Sequence, residues 1–283
     1  MQSLKNTKVR KQNSEHNTII KCNDVSFGEG YCVVIAGPCA IENTEMALLT
    51  ASEVEARGAV VFRSSLFKPR TSPYSFQGYG AKGVEILKAI KSETNLLLES
   101  EVLSRDHLET LYDHIDLIRI GSRNMDNYEL LKEVGTTDKP IILKRGMSST
   151  LEEFLLAAEY ILSNGNEKVI LCERGIRTFE TYTRNTFDVL AIPSLKELTH
   201  LPVIVDPSHS SGRSSLVPSA SKAAIAAGAD GLIIEVHPDP EAALSDGGQS
   251  LCFEDFNLLM KDVSDLVALF KKQLITHTKN VRT

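Results

Sequence analysis

An α/β fold, a (β/α)8 TIM barrel with a short N-terminal β-hairpin, is the class that the 283-residue sequence predicts. Three observations carry the prediction. Eight short apolar runs rich in β-branched residues recur along the chain, amphipathic patterns with helix caps lie between them, and six of the runs lead into a cation or a soft metal ligand. A doubly wound open sheet is the rival architecture, but it would bring a Gly-rich dinucleotide turn, and no GxGxxG occurs. The length suits one domain of the barrel type.

Residues 1–16 are polar and basic, without the apolar core of a secretory signal, and are expected to form a flexible arm. The single domain is then expected over 17–283. Its first part, NTIIKCNDVSFGEGYC (17–32), reads as two short strands around the turn signal FGEG, a hairpin placed to close one end of the barrel. The barrel strands are expected in VVIAG (33–37), AVVFRS (59–64), NLLLESEV (95–102), LIRIG (117–121), PIILKRG (140–146), KVILCERG (168–175), LPVIVDPS (201–208) and DGLIIEVH (230–237). Helix periodicity and caps place helices at 44–58, 83–94, 104–115, 127–135, 150–165, 215–228 and 253–274.

Composition narrows the function. No apolar run approaches the roughly 20 residues of a membrane helix, and a net charge of −6 argues against nucleic acid as a partner. The five cysteines show no paired or zinc-finger spacing, which favours buried thiols or one metal thiolate in a reducing compartment, and the cytoplasm is the expected location. Against this acidic background, Arg63, Lys68, Arg70, Arg123, Lys144 and Arg174 all fall at or just beyond strand ends. Gathering buried cations is costly unless phosphates or carboxylates neutralise them, so the pattern points to one site for polyanionic substrates. Strand alternation puts Lys144 with Ile142 and Arg174 with Cys172 on the inward side, and puts Arg145 and Glu173 outside, where they can pair.

The motifs AGPCAIEN (36–43), FKPRTSPYSFQGYG (67–80), ILKRGMSST (142–150), ILCERGIRTFETYTR (170–184), VDPSHSSGR (205–213) and EVHPDPEAALSD (235–246) occur in order, each closing a different strand. Together they resemble the 3-deoxy-D-arabino-heptulosonate 7-phosphate (DAHP) synthases in their short type I-beta form, from about residue 30 onward. The resemblance implies condensation of phosphoenolpyruvate with erythrose 4-phosphate, a divalent metal (Mn, Fe, Zn or Co) with no organic cofactor, and a homotetramer. It implies Cys39, His209, Glu235 and Asp246 as metal ligands. Singly, Cys39 reads as a buried thiol and His209 as a loop hydrogen-bonder; the joint match is what points to ligation. It also implies phosphoenolpyruvate contacts from Arg63, Lys68, Arg123, Lys144 and Arg174, and aldose contacts from Arg70 and Thr71. Proton traffic is expected from Lys144 and His209, with Lys68 beside them, and Asp206 is expected to orient a substrate hydroxyl or the histidine. His237 is expected to be structural, and Arg177 is ambiguous.

The sequence departs from the pattern at Ser64 and Ser65, where Gly-Gly is usual, at Leu66 and Ser122, where Ala is usual, and at Ser100, where Thr is usual. The serine pair is expected to narrow the phosphate pocket or to change the aldose accepted. The nearest rival is 3-deoxy-octulosonate 8-phosphate synthase, which reads KANR where this chain reads KPRT (68–71). A barrel that has lost catalysis and only binds is the non-enzyme alternative. Feedback through an N-terminal regulatory domain is not expected.

Overall fold

The computed structural model describes residues 3–70 and 72–277. A two-stranded antiparallel hairpin opens the fold, β1 (Ile20–Cys22) against β2 (Val25–Phe27). Its turn lies at Asn23–Asp24, with Asn23 at φ 51°. The expected FGEG turn is therefore corrected: Gly28 and Gly30 instead turn the chain out of β2 into the first barrel strand. Asparagine tolerates the left-handed backbone that a two-residue hairpin turn needs, so Asn23, rather than the glycines, sets the turn.

Eight parallel strands follow: β3 (Tyr31–Gly37), β4 (Val61–Arg63), β5 (Leu97–Glu101), β6 (Leu117–Ile120), β7 (Ile141–Lys144), β8 (Val169–Glu173), β9 (Val203–Val205) and β10 (Gly231–Glu235). Each pairs with the next, and β10 returns to β3 from Gly231↔Val33 to Glu235↔Gly37, closing the barrel. A short final strand, β11 (Gln273–Leu274), joins β3 below the ring.

The expected helices form, four of the first five with a side-chain cap. They are α1 (Thr44–Ala56), α2 (Val84–Glu93), α3 (Arg105–Leu111), α4 (Tyr128–Gly135) and α5 (Leu151–Ser163). Asn43, Ser104, Asn127 and Thr150 accept from the third residue of α1, α3, α4 and α5, and Thr150 with Glu153 completes a capping box. Two helices were not expected from the sequence. The first, α6 (Ala191–Leu198), is short, begins without a side-chain cap and carries Pro193 in its first turn. The second, α7 (Pro207–Ser211), is five residues long; Asp206 caps it and Gly212 ends it at φ 68°. The chain continues through α8 (Val217–Ala226) and α9 (Phe253–Leu269). Among the described residues no helix is long and apolar enough to cross a membrane.

Two apolar layers follow from strand alternation. Val34, Phe62, Leu98, Ile118, Leu143, Leu171 and Ile234 face outward and pack against the helices. Val33, Val61, Leu97, Leu117, Ile142, Ile170, Ile204 and Ile233 fill the barrel, and Ile20, Cys22, Val25 and Phe27 of the hairpin join that inner cluster as a plug. Of the segment 1–16 expected to be a flexible arm, the described residues 3–16 are packed instead. Leu4 and Val9 are buried in the outer layer, Arg10 bridges Thr199, and Glu159 accepts from the backbone of Lys8 and Val9. Two apolar side chains in a polar stretch gave too little periodicity to announce that contact.

At the end of the barrel opposite the strand tips, Asp230 is fully buried, accepts from Val203 N, and pairs with Lys196 (2.7 Å) and Lys272 (3.1 Å). It ties β9, β10, α6 and the turn after α9 together. Replacing Asp230 by Ala leaves two half-buried ammoniums without their counter-charge and is expected to cost about 3 kcal/mol of stability. The midpoint and slope of urea unfolding, compared with wild type, measure it.

Candidate functional site

Above the apolar layer the inward positions change from hydrocarbon to charge. Arg63 follows Val61 with a spacing of two, Glu99 and Glu101 follow Leu97, Arg119 follows Leu117, Lys144 follows Ile142, Asp206 follows Ile204 and Glu235 follows Ile233. The alternation that fills the barrel with Val, Leu and Ile therefore delivers a ring of ionised groups at its mouth. All seven are buried.

One side of the ring has the chemistry of a metal centre. Ligand atoms of Cys39, Glu235 and Asp246 lie within 4.8 Å of one another. Nε2 of His209 stands 3.6 Å from a Glu235 oxygen and 3.8 Å from an Asp246 oxygen, so all four expected ligands converge. Local structure explains the convergence. Asp206 caps α7 by accepting from His209 N (2.8 Å), and the same carboxylate lies 2.8 Å from Nδ1 of His209, outside hydrogen-bond alignment. The imidazole is thereby turned with Nε2 toward the other ligands. Asp246 sits at φ 52°, a left-handed conformation that short polar side chains such as its own tolerate better than most, and its carboxylate accepts from Cys39 Sγ, 3.4 Å away. Glu235 is fixed on both oxygens, by Arg63 Nη2 and by Gln249 Nε2, each at 2.7 Å.

Electrostatics match a cation at this point. Burial, opposed by Asp206, drives His209 down to about 4, so the ring is neutral and its lone pair free near pH 7. Burial also pushes the Cys39 thiol up to about 12, with Glu235 adding to the effect. Burial raises Asp246, but His209 and Arg184 outweigh it and hold the carboxylate well below its usual range. A divalent ion fits this donor set of one sulfur, one nitrogen and two oxygens at such spacings.

Beside the cluster opens a cavity of about 250 Å³. Lys68, Arg70, Arg123, Lys144 and Arg174 line it, together with His209 and Asp246. Arg63 does not: it lies beneath, donating from Nε to Pro38 O (3.0 Å) and pairing with Glu235. Cys39, Glu235 and Asp206 also lie below the cavity wall, and Thr71 falls outside the described residues. Arg63 Nη1 and Arg174 Nε are buried donors without partners, and of the two only Arg174 lines the cavity, where its fork can meet an oxyanion. Lys144 Nζ donates to Asp206, and the expected outer pair forms between Arg145 and Glu173 at 2.9 Å.

Sequence reasoning missed four participants. Arg119 and Glu101 line the cavity, and the alternation argument applied to Lys144 would have found both. Arg184 reaches within 3.4 Å of Asp246 and donates to Gln249 (2.8 Å) from an irregular loop, where no periodicity marks it. Gln249 gave no signal of its own. The expectation that Ser64 and Ser65 narrow the pocket is corrected. Ser64 Oγ donates to Glu99 O (2.8 Å), Ser65 Oγ accepts from Arg119 Nη2, and neither lines the cavity. His237 is buried beside Glu42 (3.5 Å), whose carboxylate accepts from Leu244 N and so steadies the loop bearing Asp246. Arg177 lies outside the main cavity, in an adjoining hollow that it shares with Arg123 and Met147.

The family model described as the DAHP synthetase I family matches residues 6–269. A phospho-2-dehydro-3-deoxyheptonate aldolase of Thermotoga maritima is 50% identical over 258 residues, covering 91% of this chain and 76% of that protein. A 2-dehydro-3-deoxyphosphooctonate aldolase of Geobacter sulfurreducens is 32% identical over 262 residues, covering 86% and 95%. Among solved structures, the crystal structure of the Thermotoga maritima aldolase (DAHP synthase) superposes with a TM-score of 0.92 at 48% identity, covering 95% of this chain and 79% of that one. A truncated form of 3-deoxy-D-arabino-heptulosonate 7-phosphate synthase from the same organism gives 0.88 at 44% identity, covering 94% and 98%.

The donor set yields a measurable proton balance. Glu235 and Asp246 are already carboxylates near pH 7 and His209 is already neutral, whereas the Cys39 thiol must ionise to ligate. Titrating chelator-treated protein with Mn or Zn at pH 7.5 is therefore expected to release about one proton per ion. Calorimetry in buffers of different ionisation enthalpy reads this number, and Cys39→Ser should bring it close to zero.

Proposed function

The chain belongs to the DAHP synthetase I family and is a transferase of the DAHP synthase type, and from that premise we propose that phosphoenolpyruvate binds against Lys68, Arg123, Lys144 and Arg174 while erythrose 4-phosphate enters over Arg70 and Thr71. The observation that carries the reading is the pairing of a cluster of four candidate metal donors with a cation-lined cavity in whose wall Arg174 keeps a buried donor, Nε, without a partner. The 50% identity to a heptonate aldolase, against 32% to an octonate aldolase, supports the four-carbon aldose over its five-carbon rival.

A divalent ion held by Cys39, His209, Glu235 and Asp246, its identity open among Mn, Fe, Zn and Co, supplies Lewis-acid charge beside the aldehyde. The protein's own groups do the rest. Arg123 and Arg174 offer bidentate forks to the phosphate and carboxylate, fixing carbon 3 of phosphoenolpyruvate against the aldehyde carbon. As that bond forms, the aldehyde oxygen gains a proton and positive charge develops at carbon 2. Water adds there and gives up a proton; the carbon 2 hydroxyl so formed then passes its proton to the phosphate as its oxygen becomes the ketone and the carbon–oxygen bond to phosphate breaks, releasing inorganic phosphate. Lys144 is the proton carrier in this reading, because its ammonium lies against the Asp206 carboxylate at the cavity wall. Burial would raise Asp206, but His209 and Lys144 hold it well below its usual range, so it stays an anion able to receive and orient that ammonium. His209 serves on the ligand side, and Lys68 and Lys144 offset the charge of the departing phosphate. A homotetramer in the cytoplasm belongs to the same reading.

Purified, metal-loaded protein is expected to release phosphate from phosphoenolpyruvate with erythrose 4-phosphate, and to stop when a chelator is added. Turnover with arabinose 5-phosphate alone would identify the octonate enzyme, and no turnover with either sugar would identify a binding protein. Lys144→Ala is expected to lower kcat by about 10²–10⁴-fold, the usual worth of a positioned proton-transfer group.

A further inference from the structure

We propose that Ser65 and Arg119 are positioning residues for the amine of Lys68, acting through the carboxylate of Glu101. The proposal rests on the reading that this cavity binds phosphoenolpyruvate.

Arg119 is 2% exposed, yet it forms part of the cavity floor. Three of its nitrogens are committed within the protein: Nε to Glu99 Oε2 at 2.8 Å, Nη1 to Glu101 Oε2 at 3.2 Å, and Nη2 to Ser65 Oγ. None of its nitrogens is a buried donor in want of a partner, in contrast to Arg63 Nη1 and Arg174 Nε. Arg119 is thus not a fork waiting for an oxyanion, and its effect on a substrate must pass through the groups it holds.

Glu101 is the group that transmits it. The oxygen that receives Arg119 Nη1 is also the one facing Lys68 Nζ, at 3.7 Å. The other oxygen lies over Gly121, where a Cβ would stand 2.0 Å from Oε1, so any other residue there would push the carboxylate aside. Burial would raise Glu101, but Arg119 and then Lys68 pull it below its ordinary range, which keeps it anionic between two cations. Ser65 and Lys68 belong to one loop, three residues apart. A single guanidinium therefore holds that loop at Ser65 directly and at Lys68 by way of Glu101.

The physical consequence has a direction. With Arg119 in place, Glu101 is shared, closer to the guanidinium than to the ammonium, and Lys68 keeps charge to offer an incoming phosphate. If the Arg119 fork is loosened, Glu101 turns wholly to Lys68 and competes with the substrate for it. The serine that departs from the usual glycine is then one support of an anion site rather than an obstruction in it.

The test compares Ser65→Ala, which removes one hydroxyl acceptor, and Arg119→Lys, which keeps the charge and loses the fork. Phosphoenolpyruvate Kd, by calorimetry on metal-loaded protein, is expected to rise about tenfold in each, the scale of one hydrogen bond to a charged group. The KM for erythrose 4-phosphate should move less than twofold, and Ser65→Thr should restore the wild-type Kd. In a Glu101→Gln background, Ser65→Ala should add nothing further. Folded variants, with wild-type Tm, whose Kd is unchanged would overturn the proposal, as would an equal effect of Ser65→Ala with and without Glu101. If Arg119→Lys does not fold, the Ser65 variants alone decide. Wild-type protein that binds no phosphoenolpyruvate would overturn the reading of the cavity itself, and the proposal with it, before any variant is compared.

Discussion

The buried ion pair between Arg63 and Glu235, 2.7 Å long and closed to solvent, is the contact on which the geometry of the site depends. It spans two strands that are not neighbours, β4 and β10, across β3 between them. The Nε of the same guanidinium donates to Pro38 O, one residue before Cys39. Two of its nitrogens thereby set the separation of two of the proposed metal ligands, Glu235 and Cys39. Its remaining nitrogen, Nη1, is a partnerless donor sealed beneath the cavity, so this residue serves the donor cluster rather than the cavity. Losing it would leave a carboxylate buried without compensation, which costs far more than the pair itself contributes.

Such a concentration of charge is tolerable because of what lies beneath it. The inner apolar layer and the hairpin plug keep water out of the barrel from below, and the ionised groups above pair with one another around the ring. Excluding water strengthens each of those pairings, and it penalises each group that lacks one. Stability and function are therefore stacked along the same strands. The lower inward positions carry the hydrophobic contribution, and the positions two residues further on carry the chemistry.

That stacking decides how much was legible in the sequence. All eight strands could be read because a parallel barrel strand is buried on both sides and appears as a continuous apolar run. Lys144, and the outward pairing of Arg145 with Glu173, followed from alternation alone. The proposed metal donors could not be derived that way. Asp246 lies in a loop at a left-handed φ, and only the shared motif order brought it together with Cys39, Glu235 and His209. Arg63 was expected among the phosphate ligands, and its tie to Glu235 depends on a contact 172 positions away along the chain. Helix α6 was obscured by its missing cap and by Pro193, and the burial of Leu4 and Val9 by the polar residues around them.

The distribution of arginine and lysine around the mouth follows from their different chemistry. Arg119 takes up a position where three directions are satisfied at once and Arg63 one where two are, and each joins residues from two neighbouring parts of the barrel. A planar fork does this with little loss of freedom, because its donors are already arranged. Lys68 and Lys144 each face a single buried carboxylate, Glu101 and Asp206 respectively, and both line the cavity. An ammonium has three donors and a flexible stem, so one carboxylate leaves it capacity to turn toward a substrate. The forks therefore fix the frame, and the ammoniums are the groups left able to move toward a substrate. Exchanging the two residue types would keep the net charge of the ring and lose that division.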